Sequence, residues 1–123
     1  MLQFDAIVNM TPLNENEDLT CFYVTKHSPW KGKYKRIFSV GSSGVTTYNP
    51  TSLEVTNKWL YADIVDVQPV SSNANRTEFT LTFKKDKKND TMRFSTEHRS
   101  ALLTSVLTYK HLFADKPRDS LVS

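Results

Sequence analysis

The chain has 123 residues, of which 38% are hydrophobic, 11% aromatic and 24% charged. This size and composition fit one domain that buries a core without metals or disulfides, and they exclude a fibre, a disordered tail and a membrane-spanning helix. The formal net charge of +3 is unevenly distributed, because residues 1–25 carry −4 and residues 26–36 carry +5. The lone Cys21 cannot form an intrachain disulfide, which indicates a cytoplasmic protein.

Residues 1–18 show little periodicity and end in an acidic run, which predicts an acidic leader. From Leu19 to Phe94, short segments rich in aromatic and β-branched residues alternate with Gly, Pro, Asn and Ser, a pattern typical of antiparallel β structure. The seven predicted strands cover residues 19–26, 33–40, 44–48, 53–59, 61–69, 77–84 and 91–95. Apolar and polar residues alternate most clearly in 77–84, which predicts a half-buried strand.

After Phe94 the apolar spacing becomes helical, with Ser95 or Thr96 as the predicted N-cap. The apolar stripe that we expect to cover one open end of the strands includes Leu102, Val106, Tyr109 and Phe113. This order of elements predicts a mainly β, pleckstrin-homology-like, seven-stranded bent antiparallel sandwich or barrel, capped by one C-terminal amphipathic α-helix. The predicted domain spans residues 19–113, and residues 114–123 are expected to be a tail or a linker to the remainder of a longer protein.

The first predicted hairpin, residues 26–36, carries five basic residues and no acid, together with Trp30 and Tyr34. Lysine and arginine bind phosphate oxygens, and a tryptophan at a loop tip is suited to the membrane interface. Many hairpin tips are lysine-rich only because the charges keep them soluble, and Trp30 would then fold back onto the sheet. The hairpin therefore predicts either an anionic-membrane surface or a solubilising loop.

Alternation assigns the side chains of this hairpin to two faces. Tyr34 and Arg36 share a face with Phe38, so they should point into the barrel mouth if Phe38 is in the core. Whether Lys26 joins them depends on the hairpin register, since a shift of one residue reverses every side chain. The cations expected outside the mouth, where they add diffuse attraction to anionic lipid, are Lys31, Lys33 and Lys35.

Enzyme and metal signatures are missing from the sequence. The three histidines have no zinc-ligand spacing, and Cys21 lies in a predicted strand, where we expect a small core residue rather than a nucleophile. The basic run at 84–90 contains its own acids and no aromatic residue, so we predict a solvated loop. With only Trp30 and Tyr34 among the charges, single-stranded nucleic-acid binding is the weakest hypothesis. We expect no catalysis, no metal, no cofactor and no nucleic-acid partner.

Several long blocks resemble the N-terminal region of the receptor-mediated endocytosis-eight family, which are very large DnaJ-domain proteins of endosomes. The blocks, which occur in order over about residues 14–113, are DLTCFYVTKHS at 18–28, WKGKYKRIFSVG at 30–41, TTYNP at 46–50, LEVTN at 53–57, EFTLTF at 78–83 and FSTEHR at 94–99. The resemblance implies the first module of a longer protein. The J domain and its heat-shock-cognate chaperone partner would lie outside these residues.

In that family the module resembles a reader of phosphatidylinositol 3-phosphate, which implies a peripheral membrane protein on the cytoplasmic face of early endosomes. The residues that would carry this function are Lys26, Trp30, Tyr34 and Arg36. Endosomal proteins are further candidate partners. The alternative is a peptide-binding module of the same superfold within an endosomal co-chaperone scaffold, in which a strand edge or the groove beside the helix receives a peptide. Fold alone does not choose between the two.

Overall fold

The computed structural model describes residues 16–71 and 75–114. Most of the predicted leader at 1–18 and most of the predicted tail at 114–123 lie outside the described residues. Within them the chain forms seven strands: β1 (Asp18–Ser28), β2 (Gly32–Gly41), β3 (Gly44–Tyr48), β4 (Val55–Leu60), β5 (Ile64–Pro69), β6 (Glu78–Lys85) and β7 (Lys88–Ser95). The helix α1 (Arg99–Tyr109) and a π-helical turn (Lys110–Ala114) follow. The prediction of a mainly β domain with seven strands and one C-terminal helix is confirmed.

The strands form one antiparallel sheet in the order β4-β3-β2-β1-β7-β6-β5. Within the first four strands of this order, and within the last three, each strand pairs with its neighbour in sequence. The two groups are joined where β1 meets β7, through Thr25 with Ser95, Lys26 with Phe94 and His27 with Arg93. We call this short ladder the seam. Phe38 of the first group packs against Phe79 of the second, so the sheet bends at the seam and encloses the core.

The core is built around three phenylalanine rings from the two groups of strands. Phe38 of β2 lies with its ring centroid 5.7 Å from Phe79 and 5.4 Å from Phe94, and these two rings are 5.5 Å apart. All three residues are fully buried. Cys21 is exposed, which corrects the expectation of a core residue. Cys21 is three residues from the buried Val24, so alternation along β1 places it on the opposite face, which points away from the core. It pairs there with Ser39.

The loop between β3 and β4 is longer than the sequence predicts. The predicted strand at 53–59 begins only at Val55, and Leu53 lies in the loop with a φ of 63°. The side-chain oxygen of Asn49 accepts hydrogen bonds from the backbone N–H groups of Thr51 and Ser52. The amide of Leu53 donates to the carbonyl of Asn49 at 2.8 Å. These bonds close a tight turn, so β4 begins two residues later than predicted.

The predicted strand at 61–69 also begins late, because Tyr61–Asp63 form a single 3-10 turn before β5. Tyr61 is buried, and its hydroxyl donates a hydrogen bond of 2.6 Å to the carbonyl of Gly41. The turn directs this ring into the core, and the hydrogen bond satisfies the polar tip of the ring. A run of apolar residues cannot distinguish such a turn from the first residues of a strand.

The N-cap of α1 is His98, and neither predicted cap residue occupies that position. Ser95 is the last residue of β7, and its hydroxyl pairs with the imidazole of His27 at 2.9 Å. The hydroxyl of Thr96 accepts a hydrogen bond from the backbone N–H of His98 at 3.2 Å, so it orders the turn before the helix. The predicted caps were wrong because the hydroxyl of Ser95 bonds to His27 of β1 and that of Thr96 bonds within the turn before the helix.

The helix covers the sheet with a narrower face than the sequence predicts. Leu102 and Val106 are fully buried in the core, and Tyr109 packs against the core while partly exposed. Phe113 is 39% exposed and lies in the π-helical turn with its ring 5.8 Å from Tyr109. The expectation that Phe113 covers the strands therefore requires correction, since the change of helical pitch moves it off the buried face.

Candidate functional site

Three loops gather at one end of the sheet, which we call the loop end. The β1–β2 turn at 29–31 lies there, and Ile37 pairs with Tyr48, which brings the β3–β4 loop at 49–54 to the same side. His27 pairs with Arg93, so the β6–β7 tip at 86–87 lies there as well. The run at 84–90, predicted as a solvated loop, is mostly strand, since Lys84 and Lys85 pair with Asn89 and Lys88 and only 86–87 form the turn. This basic tip shares the loop end with the first hairpin.

The register of the first hairpin shows which of its side chains share a face. Lys26 lies opposite Tyr34, and Val24 lies opposite Arg36. Val24 and Phe38 are buried in the core, so their face of the hairpin is the inner face. Lys26, Tyr34 and Arg36 continue that face to the loop end. We call these three residues the cationic mouth, and Lys26 belongs to it together with the two residues predicted from alternation.

Arg36 holds its guanidinium group in the mouth without an acidic partner among the described residues. Its Cζ atom lies 5.1 Å from the centre of the Tyr34 ring, a cation–π arrangement. Nη1 donates a hydrogen bond of 2.8 Å to the carbonyl of Lys35. The Nε atom is buried and has no partner among the described residues. A buried unpaired donor costs about 1–3 kcal/mol, so an arginine in this position carries a stability penalty.

Lys26 adds a second positive charge to the same face of the hairpin. Burial lowers the pKa of its ammonium group, and the positive charges of Arg36 and Lys31 lower the pKa further. All three effects disfavour the protonated form of Lys26. A bound anion would reverse them by attracting both cations. The cationic mouth therefore has the electrostatic character of a site for a compact anion such as a phosphate group.

Trp30 stands at the tip of the first hairpin and is 90% exposed. The hydroxyl of Ser28 accepts a hydrogen bond from the backbone N–H of Lys31 at 3.2 Å, and Gly32 adopts a φ of 90°. This turn projects the indole ring away from the sheet, so Trp30 does not fold back as a small satellite core. An exposed indole beside Lys31 has the amphipathic character of residues at membrane interfaces.

The other two lysines of the hairpin lie on the outer face. Lys33 is opposite His27 and Lys35 is opposite Thr25, on the side of β1 that faces away from the core. Both lysines are exposed, as alternation predicted. They add positive charge around the hairpin and do not line the cationic mouth.

A concave region, the outer cleft, opens where β1 and β7 diverge beyond the seam. It encloses about 910 Å³, and its lining includes Lys26, His27, Trp30, Lys33, Glu78, Asp90 and Arg93. Arg93 forms an ion pair with Glu78. Lys26 borders both the cleft and the cationic mouth. Arg93 of the cleft has an acid beside it, whereas the guanidinium of Arg36 has no acidic partner among the described residues.

His27 gives the outer cleft a pH-dependent group. Burial lowers the pKa of its imidazole, the charge of Glu78 raises it, and the charges of Lys33 and Arg93 lower it, with a net downward shift. The unfolded chain consequently binds a proton more readily than the folded protein does. The contribution of His27 to the free energy of unfolding is complete above the pKa of the unfolded chain, near 6.5. It is lost as the pH falls through the lower pKa of the folded protein.

We expect the substitution His27→Asn to flatten the decline in melting temperature between about pH 8 and pH 5, because the asparagine does not titrate. The matched control is His98→Asn, which removes an exposed imidazole and keeps a good N-cap residue. Thermal unfolding across that range measures the effect. Parallel declines in wild type and His27→Asn would contradict the role of His27.

Within the described parts of the chain, no His, Cys, Asp and Glu side chains form a group of three or more that could hold a metal ion. No helix there combines the length and the apolar character needed to cross a membrane.

The fold is shared with solved structures of low sequence identity. The Slm1-PH domain in complex with inositol-4-phosphate superposes with a TM-score of 0.58 at 12% identity, over 77% of this chain and 95% of that one. The DH/PH fragment of PDZRHOGEF in complex with human RhoA gives 0.65 at 6% identity, over 89% and 32%. The myosin VII MyTH4-FERM MF2 domain of Dictyostelium discoideum gives 0.58 at 20%, over 76% and 17%. The domain therefore has the pleckstrin-homology-like fold predicted from its order of elements.

The sequence comparisons identify the family within this fold class. The family model of the DNAJ protein RME-8 N-terminal domain matches residues 21–113. The DnaJ homolog subfamily C GRV2 of Arabidopsis thaliana is 34% identical over 102 residues, which cover 76% of this chain and 4% of the relative. The chain belongs to the RME-8 family and corresponds to its N-terminal domain. The resemblance inferred from the sequence blocks is confirmed.

Two features of the loop end were absent from the sequence prediction. His27 and Arg93 meet in the outer cleft only because β1 pairs with β7, and no local pattern indicates that pairing. Leu53 was assigned to a strand, whereas it lies exposed in the β3–β4 loop. No sequence signal marks it, since leucine is uncommon at a positive φ.

Proposed function

We propose that this domain is a non-catalytic membrane-targeting module that binds phosphatidylinositol 3-phosphate on the cytoplasmic face of early endosomes. The observation that carries the proposal is the guanidinium of Arg36, which is half-buried beside Lys26 and has no acidic partner among the described residues. Buried donors in native proteins are nearly always paired, so a buried donor without a protein acceptor is a candidate contact for a ligand. A phosphate group on an inositol ring is an acceptor of suitable size and charge.

The headgroup phosphate binds between Lys26 and Arg36 in this proposal. The ring of Tyr34, with its centre 5.1 Å from Cζ of Arg36, holds the guanidinium by a cation–π contact and lines the pocket in this proposal. A phosphate in this position would accept charge-assisted hydrogen bonds from both cations and reduce their mutual repulsion. The remaining backbone-facing bond from Arg36 to Lys35 fixes the orientation of the guanidinium plane.

The bilayer itself is bound by the tip and the outer charges of the hairpin. Trp30 enters the interface, where an indole ring is favoured. Lys31, Lys33 and Lys35 add diffuse attraction to anionic lipid, at roughly 1 kcal/mol for each basic residue near the surface. Because none of these contacts is strong alone, binding is reversible and requires the specific headgroup as a second signal.

The cationic mouth is a better phosphate site than the part of the outer cleft that lies beyond Lys26. In the outer cleft, Arg93 is already paired with Glu78, and Asp90 contributes a further negative charge. A phosphate entering there would have to displace or face these carboxylates. The preference for the 3-phosphate isomer and for early endosomes rests on membership of the RME-8 family, and the bound inositol-4-phosphate of Slm1-PH is compatible with headgroup binding on this fold.

The proposal is tested by cosedimentation with phosphatidylcholine vesicles that contain one phosphoinositide isomer at a time. We expect the domain to sediment preferentially with vesicles carrying phosphatidylinositol 3-phosphate and to retain this preference at moderate salt. Equal binding to all anionic vesicles, abolished by salt, would reduce the site to a charged surface. Absence of binding to every vesicle would reject the proposal.

The substitution Lys26→Gln separates the mouth from general charge. We expect affinity for vesicles carrying the 3-phosphate to fall by roughly tenfold, because a charged hydrogen bond to the phosphate is lost. The matched control is Lys58→Gln, which removes an exposed lysine of β4 outside the mouth and changes the net charge equally. Equal losses in the two variants would show that only the total charge matters.

The second candidate function is peptide binding in the outer cleft. Among the described residues, β7 from Lys88 to Met92 pairs with β6 alone, so one edge of β7 faces the cleft where β1 has diverged. An extended peptide can add to such an edge through backbone hydrogen bonds. Failure of vesicle binding together with protection of the amides of β7 by a peptide ligand would favour this function.

A further inference from the structure

Leu53 is an exposed apolar side chain in a rigid loop at the loop end. It is 63% exposed and follows the turn that begins at Asn49. Three backbone N–H groups of the loop donate to Asn49, two to its side-chain oxygen and that of Leu53 to its carbonyl. The amide of Asn49 in turn donates to the carbonyl of Glu54 at 2.9 Å. The hydrogen bonds hold the loop in one shape, so the exposure of Leu53 is built into the fold.

The backbone of Leu53 is also strained. Its φ of 63° lies in the left-handed region, where the Cβ atom of an L-residue crowds the following carbonyl group. Glycine or asparagine would adopt this conformation at lower cost and would leave no apolar surface in water. A leucine here is therefore unfavourable both for the backbone and for solvation. Strain of this kind is typical of binding sites.

We propose that Leu53 is a second apolar anchor, which enters the lipid bilayer from the β3–β4 loop while Trp30 enters from the β1–β2 turn. This inference rests on the proposed function and specifies how the membrane surface lies against the domain. The cationic mouth is on the inner face of β1 and β2, and the β3–β4 loop borders the same end. The two anchors thus belong to separate hairpins at the loop end.

Charge and location indicate that the surface which Leu53 contacts is a lipid bilayer. The loop at 49–54 contains one acid, Glu54, whereas the neighbouring hairpin at 26–36 has five basic residues and no acid. Together the two segments expose Leu53 and Trp30 and carry five basic residues against one acid, which is complementary to an anionic bilayer. Two separated anchors would fix the tilt of the domain, while one anchor would leave it free to rotate about Trp30.

The substitution Leu53→Asn tests this anchor without disturbing the fold. We expect affinity for phosphatidylcholine vesicles containing phosphatidylinositol 3-phosphate to fall by roughly fivefold, because the buried area of one leucine is lost. Binding of the soluble headgroup, inositol 1,3-bisphosphate, should be unchanged. The melting temperature should be equal or higher, since asparagine relieves the left-handed strain. The matched control is Leu60→Asn, which removes an exposed leucine at the other end of β4.

A direct measurement places an environment-sensitive NBD fluorophore at Leu53→Cys or at Leu60→Cys, each combined with Cys21→Ser because Cys21 is exposed. We expect a blue shift and increased emission at position 53 when vesicles are added, and no change at position 60. Unchanged emission at position 53 with vesicle binding intact would overturn the anchor and leave the proposed function standing. If the unsubstituted domain bound neither vesicles nor headgroup, the proposed function itself would fail.

Discussion

Replacing Arg36 with leucine is expected to lower the affinity for vesicles carrying phosphatidylinositol 3-phosphate by roughly 10- to 150-fold, since a charged hydrogen-bond partner is worth about 1.5–3 kcal/mol. Leucine fills much of the same space with apolar atoms. It removes the buried unpaired Nε donor and the positive charge beside Lys26. We therefore expect the melting temperature of Arg36→Leu to stay the same or to rise, so that binding and stability change in opposite directions.

Vesicle cosedimentation and thermal unfolding of the same preparations measure the two effects. The matched control is Arg93→Leu, because Arg93 pairs with Glu78 in the outer cleft and lies outside the cationic mouth. This control should keep vesicle affinity within about threefold, as expected for loss of one peripheral charge. A clear loss of stability in Arg36→Leu with unchanged binding would identify the guanidinium as a structural group and refute its role as a phosphate ligand.

Truncating Phe38 to alanine is expected to destabilise the domain by about 3–5 kcal/mol, which is a large part of the stability of a domain of this size. The ring of Phe38 is fully buried and contacts Phe79 and Phe94 edge-on. These partners come from the other group of strands, so the cavity would form where the two halves of the sheet pack together. The neighbouring rings are held by β6 and β7 and can only partly collapse into it.

Urea unfolding of the purified variant measures this loss. The matched control is Tyr23→Ala, which removes an aromatic ring of β1 that is 77% exposed and should change stability within about 0.5 kcal/mol. A loss below about 1 kcal/mol for Phe38→Ala would mean that the core relaxes around the missing ring. In that case the core next to the cationic mouth repacks more readily than the close contacts of its rings suggest.

The sequence predicted the strands well where alternation and turn residues agree. Residues 44–48 form β3 as predicted, and Phe38 lies on the buried face that its parity indicated. The prediction from sequence was wrong where side-chain hydrogen bonds override the local preference for strand or helix cap. Asn49 closes a turn that displaces Leu53 from the strand, and Thr96 serves the turn before the helix while His98 occupies the cap.

The candidate site could be predicted only in part for a related reason. The alternation rule places Tyr34 and Arg36 on the inner face once Phe38 is assigned to the core. The position of Lys26 depends on the turn at 29–31, which sets the register between β1 and β2. Whether the Nε of Arg36 has a hydrogen-bond acceptor depends on every group around it. It has none among the described residues, and no sequence pattern indicates this.

The short seam between β1 and β7 has a consequence for folding. Each group of strands consists of hairpins whose partners are close in sequence, whereas the seam joins distant residues, as in the hydrogen bond between His27 and Ser95, 68 residues apart. Local pairings form faster than distant ones because they close shorter loops. We therefore expect the first hairpin, and with it the frame of the cationic mouth, to form early, while the outer cleft appears only when the two groups join.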